Sequence, residues 1–244
     1  MVEPMVLPAT SPVADTSSQR VEAAGLGGRA RRAVSVRATA LSLHQPSTRR
    51  VGLDRLIYSA SNYRFMLVAD LACAAILLGA GLWWFNGSPG AATAIVAMGF
   101  AGWGGVEYGI HRWVLHGPPS IAARAHARHH AEPKALISMP AFVSPALAGA
   151  VCLALSVPLG RGAASLAVCG LYAGYNYYAL LHHLLHRHPS LRRRLQSLAR
   201  LEAAHGIHHG RSAVNYGVST TWCDRLMGTY QPVARRPHKV LLRD

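Results

Sequence analysis

The chain has 244 residues, of which 51% are hydrophobic and only 14% charged, a balance that argues against an ordinary soluble protein and for a membrane class. Lys and Arg outnumber Asp and Glu by 25 to 10, so an acidic or neutral surface is excluded, and the position of the excess charge must separate nucleic acid from membrane as its partner. Four cysteines, Cys73, Cys152, Cys169 and Cys223, are scattered and form no CxxC pair, so neither a disulfide framework nor a zinc ribbon is suggested.

Residues 1–60 are rich in Ala, Ser, Thr, Pro and Arg and poor in acids and aromatics, and they are expected to be a disordered basic tail. The same composition fits an organellar transit peptide, but a solvated tail against an anionic leaflet is the preferred reading. Four apolar stretches follow within a membrane domain spanning 61–231. The first, Met66 to Phe85, ends in a tryptophan pair suited to a membrane interface. After the turn "NGSPG" comes the second, Ala91 to Ile110. The third, Leu136 to Leu159, contains Pro140 and Pro145 and should be kinked or interfacial at its start. "GRG" separates it from the fourth, Ala163 to Leu181. Each approaches the roughly twenty residues that cross a hydrocarbon core. Residues 232–244 form a short basic C-terminal tail. Of the 25 Lys and Arg residues, only Arg161 falls outside the segment before Met66, the segment 111–135 and the segment after 181. That is the positive-inside pattern. It places both termini and the central loop in the cytoplasm, and it accounts for the charge without nucleic acid.

Fourteen histidines are the chemical anomaly. Ten fall in four groups: "HRWVLH" (His111, His116), "HARHH" (His126, His129, His130), "HHLLH" (His182, His186) and "HGIHH" (His205, His208, His209). All lie on the expected cytoplasmic side, at or beyond helix ends. Residues four apart on a helix share a face, which pairs His182 with His186. HxxHH puts its first histidine on the face of each of the last two, which diverge by about 100°, so one triplet can serve two neighbouring metals. The spacing of five in HRWVLH fits one helix face poorly, and Gly117-Pro118 is expected to end that helix and re-aim His116. Ten imidazoles exceed one site and suit two metals, with iron, zinc or copper favoured by nitrogen ligation. HExxH is absent, and so are the ExxH pairs of carboxylate di-iron bundles. His44, His183, His188 and His238 are read as solvated or outlying residues.

These motifs, together with the closing "NYGVSTTWCDRLMGTY", resemble the fatty acid hydroxylase/sterol desaturase superfamily of membrane di-iron oxygenases over about residues 60 to 231. The order HX4H, HX2HH, HX3H, HX2HH is most similar to fatty acid 2-hydroxylases. The resemblance implies an all-α fold: a four-helix transmembrane bundle with a cytosolic histidine-rich cap. It makes all ten grouped histidines ligands of two iron ions, a site that zinc can enter in purified samples. Two departures stand out. Cys223 precedes Asp224 where the family usually has Trp, with Trp222 one place earlier. No cytochrome b5-like domain is fused, so a separate cytochrome b5-like or ferredoxin/reductase donor is expected. His183 stands where carotenoid hydroxylases carry the Asp of HDG, which weakens that reading.

The expected activity is O2-dependent hydroxylation of a fatty acyl or ceramide-like lipid that enters from the bilayer. Glu107, one turn before His111, is read either as orienting a ligand's free N–H or as an ordinary interfacial glutamate. Tyr172, Tyr175, Asn176 and Tyr178 are read first as a helix-packing face and second as the lining of the lipid's route. The alternatives are carotenoid or sterol hydroxylation or desaturation, a histidine-rich metal transporter or store, and a metal-free binding protein. A transporter should carry ionisable residues along its spans, where this chain has only Asp70 and Glu107.

Overall fold

The computed structural model describes residues 52–188 and 195–233, and among them every regular element is helical. The tail up to residue 51, His44, His238 and residues 234–244 lie outside the described residues. Within the expected tail, Leu53–Ile57 already forms a short helix, α1, with Ile57 buried.

Ser59 caps α2 (Ala60–Trp84) by accepting a hydrogen bond from the Asn62 N–H. Its 25 residues extend about 38 Å and are apolar on all sides, so nothing in α2 limits it to a one-sided packing role. The turn after it places Ser88 as the cap and Pro89 in the first turn of α3 (Pro89–Gly109). α3 runs directly into a π-helical turn, Ile110–Leu115. Ser120 caps α4 (Ile121–Ala131).

The third apolar stretch was expected to be kinked or interfacial at its start, and its helix, α5, begins only at Val143 and ends at Leu159. Pro140 lies in the non-helical part, which a residue far away in sequence holds in place. The buried Asn62 side chain donates to Ser138 Oγ (2.9 Å) and Met139 O (3.0 Å) and accepts from Ala141 N (3.1 Å), holding 138–141 as an irregular strap across the start of α2. The expected three-residue turn between the third and fourth stretches shrinks to Gly160, whose φ of 78° suits glycine, because Arg161 already opens α6 (Arg161–Arg187). α7 (Gln196–Gly210) and α8 (Trp222–Leu226) complete the described elements.

α6 is the spine and packs against α2, α3 and α5. Against α3 the backbones touch: a Cβ on Gly99 would overlap the Ala167 carbonyl, and one on Gly170 would overlap that of Val96. Small residues at such a crossing are how apolar helices pack without a water-driven force between them. A core of Leu77, Ala148, Val168, Cys169 and Tyr172 joins α2, α5 and α6, and Asp70 knots the same helices by accepting from Tyr172 OH and Ser144 Oγ, each at 2.6 Å.

One helix among the described residues, α2, is long and apolar enough on its own to cross a membrane. α5 is apolar but has 17 residues. α3 is interrupted by glycines and Glu107, and α6 ends in Tyr, Asn and His residues. Large apolar side chains nevertheless face outward from several of these helices, including Ile76 (70% exposed), Met98 and Val157 (87%).

Candidate metal centre

The histidines sit where the apolar helices end. α3 and its π turn present His111 and His116, α6 presents His182 and His186 in its last two turns, and α4 and α7 carry the two triplets. All ten candidate ligands converge, and they do so as two sets of five. His111, His116, His126, His130 and His208 form the first set, and His129, His182, His186, His205 and His209 the second. Within each set one ligand atom per residue lies within 4.8 Å of all the others. Each triplet divides between the sets, so the adjacent rings of His129 and His130 face different centres, as do those of His208 and His209.

His116 reaches the first set by a route the spacing did not suggest. Five residues on an α-helix are separated by about 140°. Here the His116 N–H bonds to the His111 carbonyl (3.1 Å), closing an i→i+5 turn that brings the second ring back over the first, with ring centroids 5.2 Å apart. The re-aiming therefore happens within the helix, before Gly117. Gly117 closes the turn, since a Cβ there would overlap the Trp113 carbonyl.

The nitrogen geometry fits a cation better than a hydrogen-bond network. His126 Nε2 has three neighbours at 3.0 Å: the Nε2 atoms of His111, His116 and His130. One imidazole nitrogen carries either one proton or one lone pair and cannot satisfy three partners. His116 Nε2 also lies 3.0 Å from His208 Nε2. In the second set the corresponding distances are 3.0 Å (His182 to His129), 2.9 Å (His186 to His205) and 3.2 Å (His209 to His205). Two nitrogens bound at right angles to a metal at 2.0–2.1 Å lie about 3.0 Å apart. The tautomers agree with this. His111 Nδ1–H donates to the Tyr216 carbonyl and His208 Nδ1–H to that of Val214 (2.9 Å), so both Nε2 atoms turn lone pairs inward.

Electrostatics keeps the rings neutral. Burial first, then repulsion from His130, holds His116 down at about 4, and burial holds His208 at about 4 despite its bond to Val214. Burial with crowding by His186 and other rings puts His129 at about 2, and burial with His130 and His186 puts His209 at about 3. His126 and His205 are lowered for the same reasons. Neutral imidazoles with exposed lone pairs are the form that binds metal.

Other candidates are placed differently from expectation. Glu107 makes no hydrogen bond to a histidine among the described contacts. It accepts from the Val218 and Ser219 N–H groups and the Ser219 hydroxyl, bracing the 214–219 loop. Tyr175 and Tyr178 line an apolar cavity of about 200 Å³ with Tyr63, Met66, Leu115, Ile137 and Met139, and His126, His129 and His182 are part of the same lining, so the cavity touches both sets. Tyr172 instead bonds to Asp70, and Asn176 to the Tyr172 carbonyl. His183 pairs with Tyr63 OH (2.8 Å) and lies beside the His188 ring, tilted to it with centroids 5.6 Å apart, outside both sets. Cys223, where tryptophan was expected, is buried with Tyr108 and Tyr216, and Trp222 lies half exposed beside it. Sequence reading missed the carbonyls of Val214 and Tyr216 and the role of Asp224. The only signal for them was the closing motif itself.

Residues 96–229 match the family model for fatty acid hydroxylase, more than half of the chain. The fold is similar to the solved structure described as full-length scs7p with only the hydroxylase domain visible, with a TM-score of 0.59 and 25% identity over 75% of this chain and 72% of that one. No curated protein gives a match. The histidine motifs, the helical frame that gathers them and the family match lead to one assignment: the chain belongs to the fatty acid hydroxylase family.

Proposed function

We propose that the protein is a membrane-embedded hydroxylase that inserts one oxygen atom from O2 into a C–H bond of a fatty acyl or ceramide-like lipid. The observation that carries this reading is the pair of five-histidine sets, both of which contribute rings to the wall of one apolar cavity. His111, His116, His126, His130 and His208 would hold one iron ion, and His129, His182, His186, His205 and His209 a second. Together the two irons would supply the power to activate O2 against an unactivated C–H bond.

The protein's own residues do the positioning. The walls formed by Met66, Leu115, Ile137 and Met139, with Tyr175 and Tyr178, bind an acyl chain and exclude water, and His126, His129 and His182 form part of the same lining. A reactive carbon against those three rings lies beside both sets at once. Per turnover the reaction takes up two electrons and two protons and releases water, and the electrons come from a separate cytochrome b5-like or ferredoxin-type donor. The outward apolar side chains of α2, α3 and α5 support immersion of these helices in lipid, and the basic segments support a cytoplasmic site.

The test is to purify the protein anaerobically in detergent and measure iron per chain and O2 uptake. About two irons, with uptake that needs both reductant and lipid, is the expected result. A folded preparation that binds no iron, or binds it and consumes no O2, rejects the reading. Zinc in an aerobic preparation decides nothing, because imidazole sites accept it readily.

A further inference from the structure

The two histidine sets match in composition and differ in how their rings are held. In the first, backbone carbonyls fix His111 and His208 through Nδ1. In the second, His205 is 2% exposed and its Nδ1 has no hydrogen-bond partner among the described residues. Ligation through Nε2 requires the proton on Nδ1, so His205 binds a cation with a buried N–H unpaired, a penalty that His111 and His208 escape. The second set is also the more open. His186, His205 and His209 line a cavity of about 760 Å³ with Glu132 and Glu202, and of the first set only His130 reaches it.

The two orienting carbonyls belong to one loop, and that loop is clamped. Asp224 Oδ1 accepts from Tyr216 N and Thr229 Oγ1, and its Oδ2 from Gly217 N, all at 2.8 Å, with the carboxylate fully buried. A Cβ on Gly217 would overlap the Thr220 carbonyl, so the loop closes on itself. Asn215, at φ 53°, ties its start to Ala204 O (3.2 Å) and Gln231 O (3.0 Å). Asp224 thus touches no histidine, yet it fixes the peptide whose carbonyl sets the tautomer and direction of His111.

We propose that the first histidine set is the tighter of the two metal sites and that Asp224 makes it so, as a positioning residue acting through the 214–219 loop. The inference rests on reading both sets as metal sites. The test strips the full-length protein of metal in detergent and titrates it with Co2+ against a competing chelator, following Co2+ absorption and bound metal per chain. Two binding steps are expected, separated by at least about tenfold. His208→Ala weakens the tight step and His186→Ala the weak one. Asp224→Asn weakens the tight step by about 10–100-fold and leaves the weak step in place. Thr229→Val removes one bond to Asp224 and keeps both loop N–H partners, so it shows a smaller loss in the same step and decides the matter if Asp224→Asn does not fold. Two equal steps, a tight step that responds to His186→Ala, or a clamp variant that loosens both steps alike overturns the proposal. A folded chain that binds no Co2+ overturns the metal reading itself.

Discussion

Asn62 and Asn176 are the same residue type in the same bundle, and their surroundings give them opposite weight. Asn62 satisfies Ser138 Oγ, Met139 O and Ala141 N in the strap, all distant in sequence. Asn176 donates only to Tyr172 O, four residues back along its own helix. Replacing Asn62 with Leu strands several buried polar groups at once and should cost about 2–4 kcal/mol of stability. Asn176→Leu should stay within about 0.5 kcal/mol. Thermal unfolding of the two variants in the same detergent makes the comparison, and equal shifts would contradict the role given to the strap. Glu107 teaches the same lesson: its position before His111 left open a bond to a ligand ring or an ordinary interfacial place, and its partners lie instead 111 and 112 residues away on a loop.

At the scale of elements, the π turn is the feature on which His116 depends. Deleting Val114 leaves His111 and His116 four apart on an ordinary helix, offset by about 40°, and both should stay in the first set. Adding an alanine after Val114 turns His116 away and should lower bound metal per chain, read by elemental analysis of the folded protein. If insertion and deletion give the same metal content, the turn is not what aims the ring. The division of each HxxHH triplet was legible beforehand, because helix geometry alone separates adjacent side chains. The π turn was not, because an i→i+5 closure depends on the packing of Trp113 and Gly117 and has no local residue code. The irregular start of the third stretch was legible from Pro140, but not that Asn62 holds it from another helix. The four apolar stretches were found as helices, but the extent of each was shifted by caps at Ser59, Ser88 and Gly160.

For the whole molecule, the histidine sets join α4 and α7 to the ends of α3 and α6. Leu198 and Leu201 of α7 also pack against Leu181 and Leu185 of α6, and a bound cation in each set adds to that apolar contact in tying the polar cap to the apolar helices. A ligand bound only by the folded state stabilises it by RT ln(1 + [L]/Kd), about 4 kcal/mol at a thousandfold excess over Kd. Chelation should therefore lower the melting temperature of the detergent-solubilised protein, and adding Fe2+ anaerobically should restore it. His188→Ala, outside both sets, should behave as wild type in this assay. An unchanged melting temperature after verified metal loss would show that the cap is held by other contacts.

The unbroken run of α6 has a mechanical consequence. From Arg161, beside a hairpin of one residue, to Arg187, just past His186, it is a single rod of 27 residues, about 40 Å long, without a proline or a bulge. A rod without a joint cannot absorb a tilt; it delivers it. In a bundle, the lean of such a helix is set by the helices packed against it, here α2, α3 and α5. Any lean imposed at the Gly160 end is carried to His182 and His186, while His129 and His205 ride on other elements. The packing of one helix against three others is then also what sets where two rings of the second histidine set stand relative to the other three.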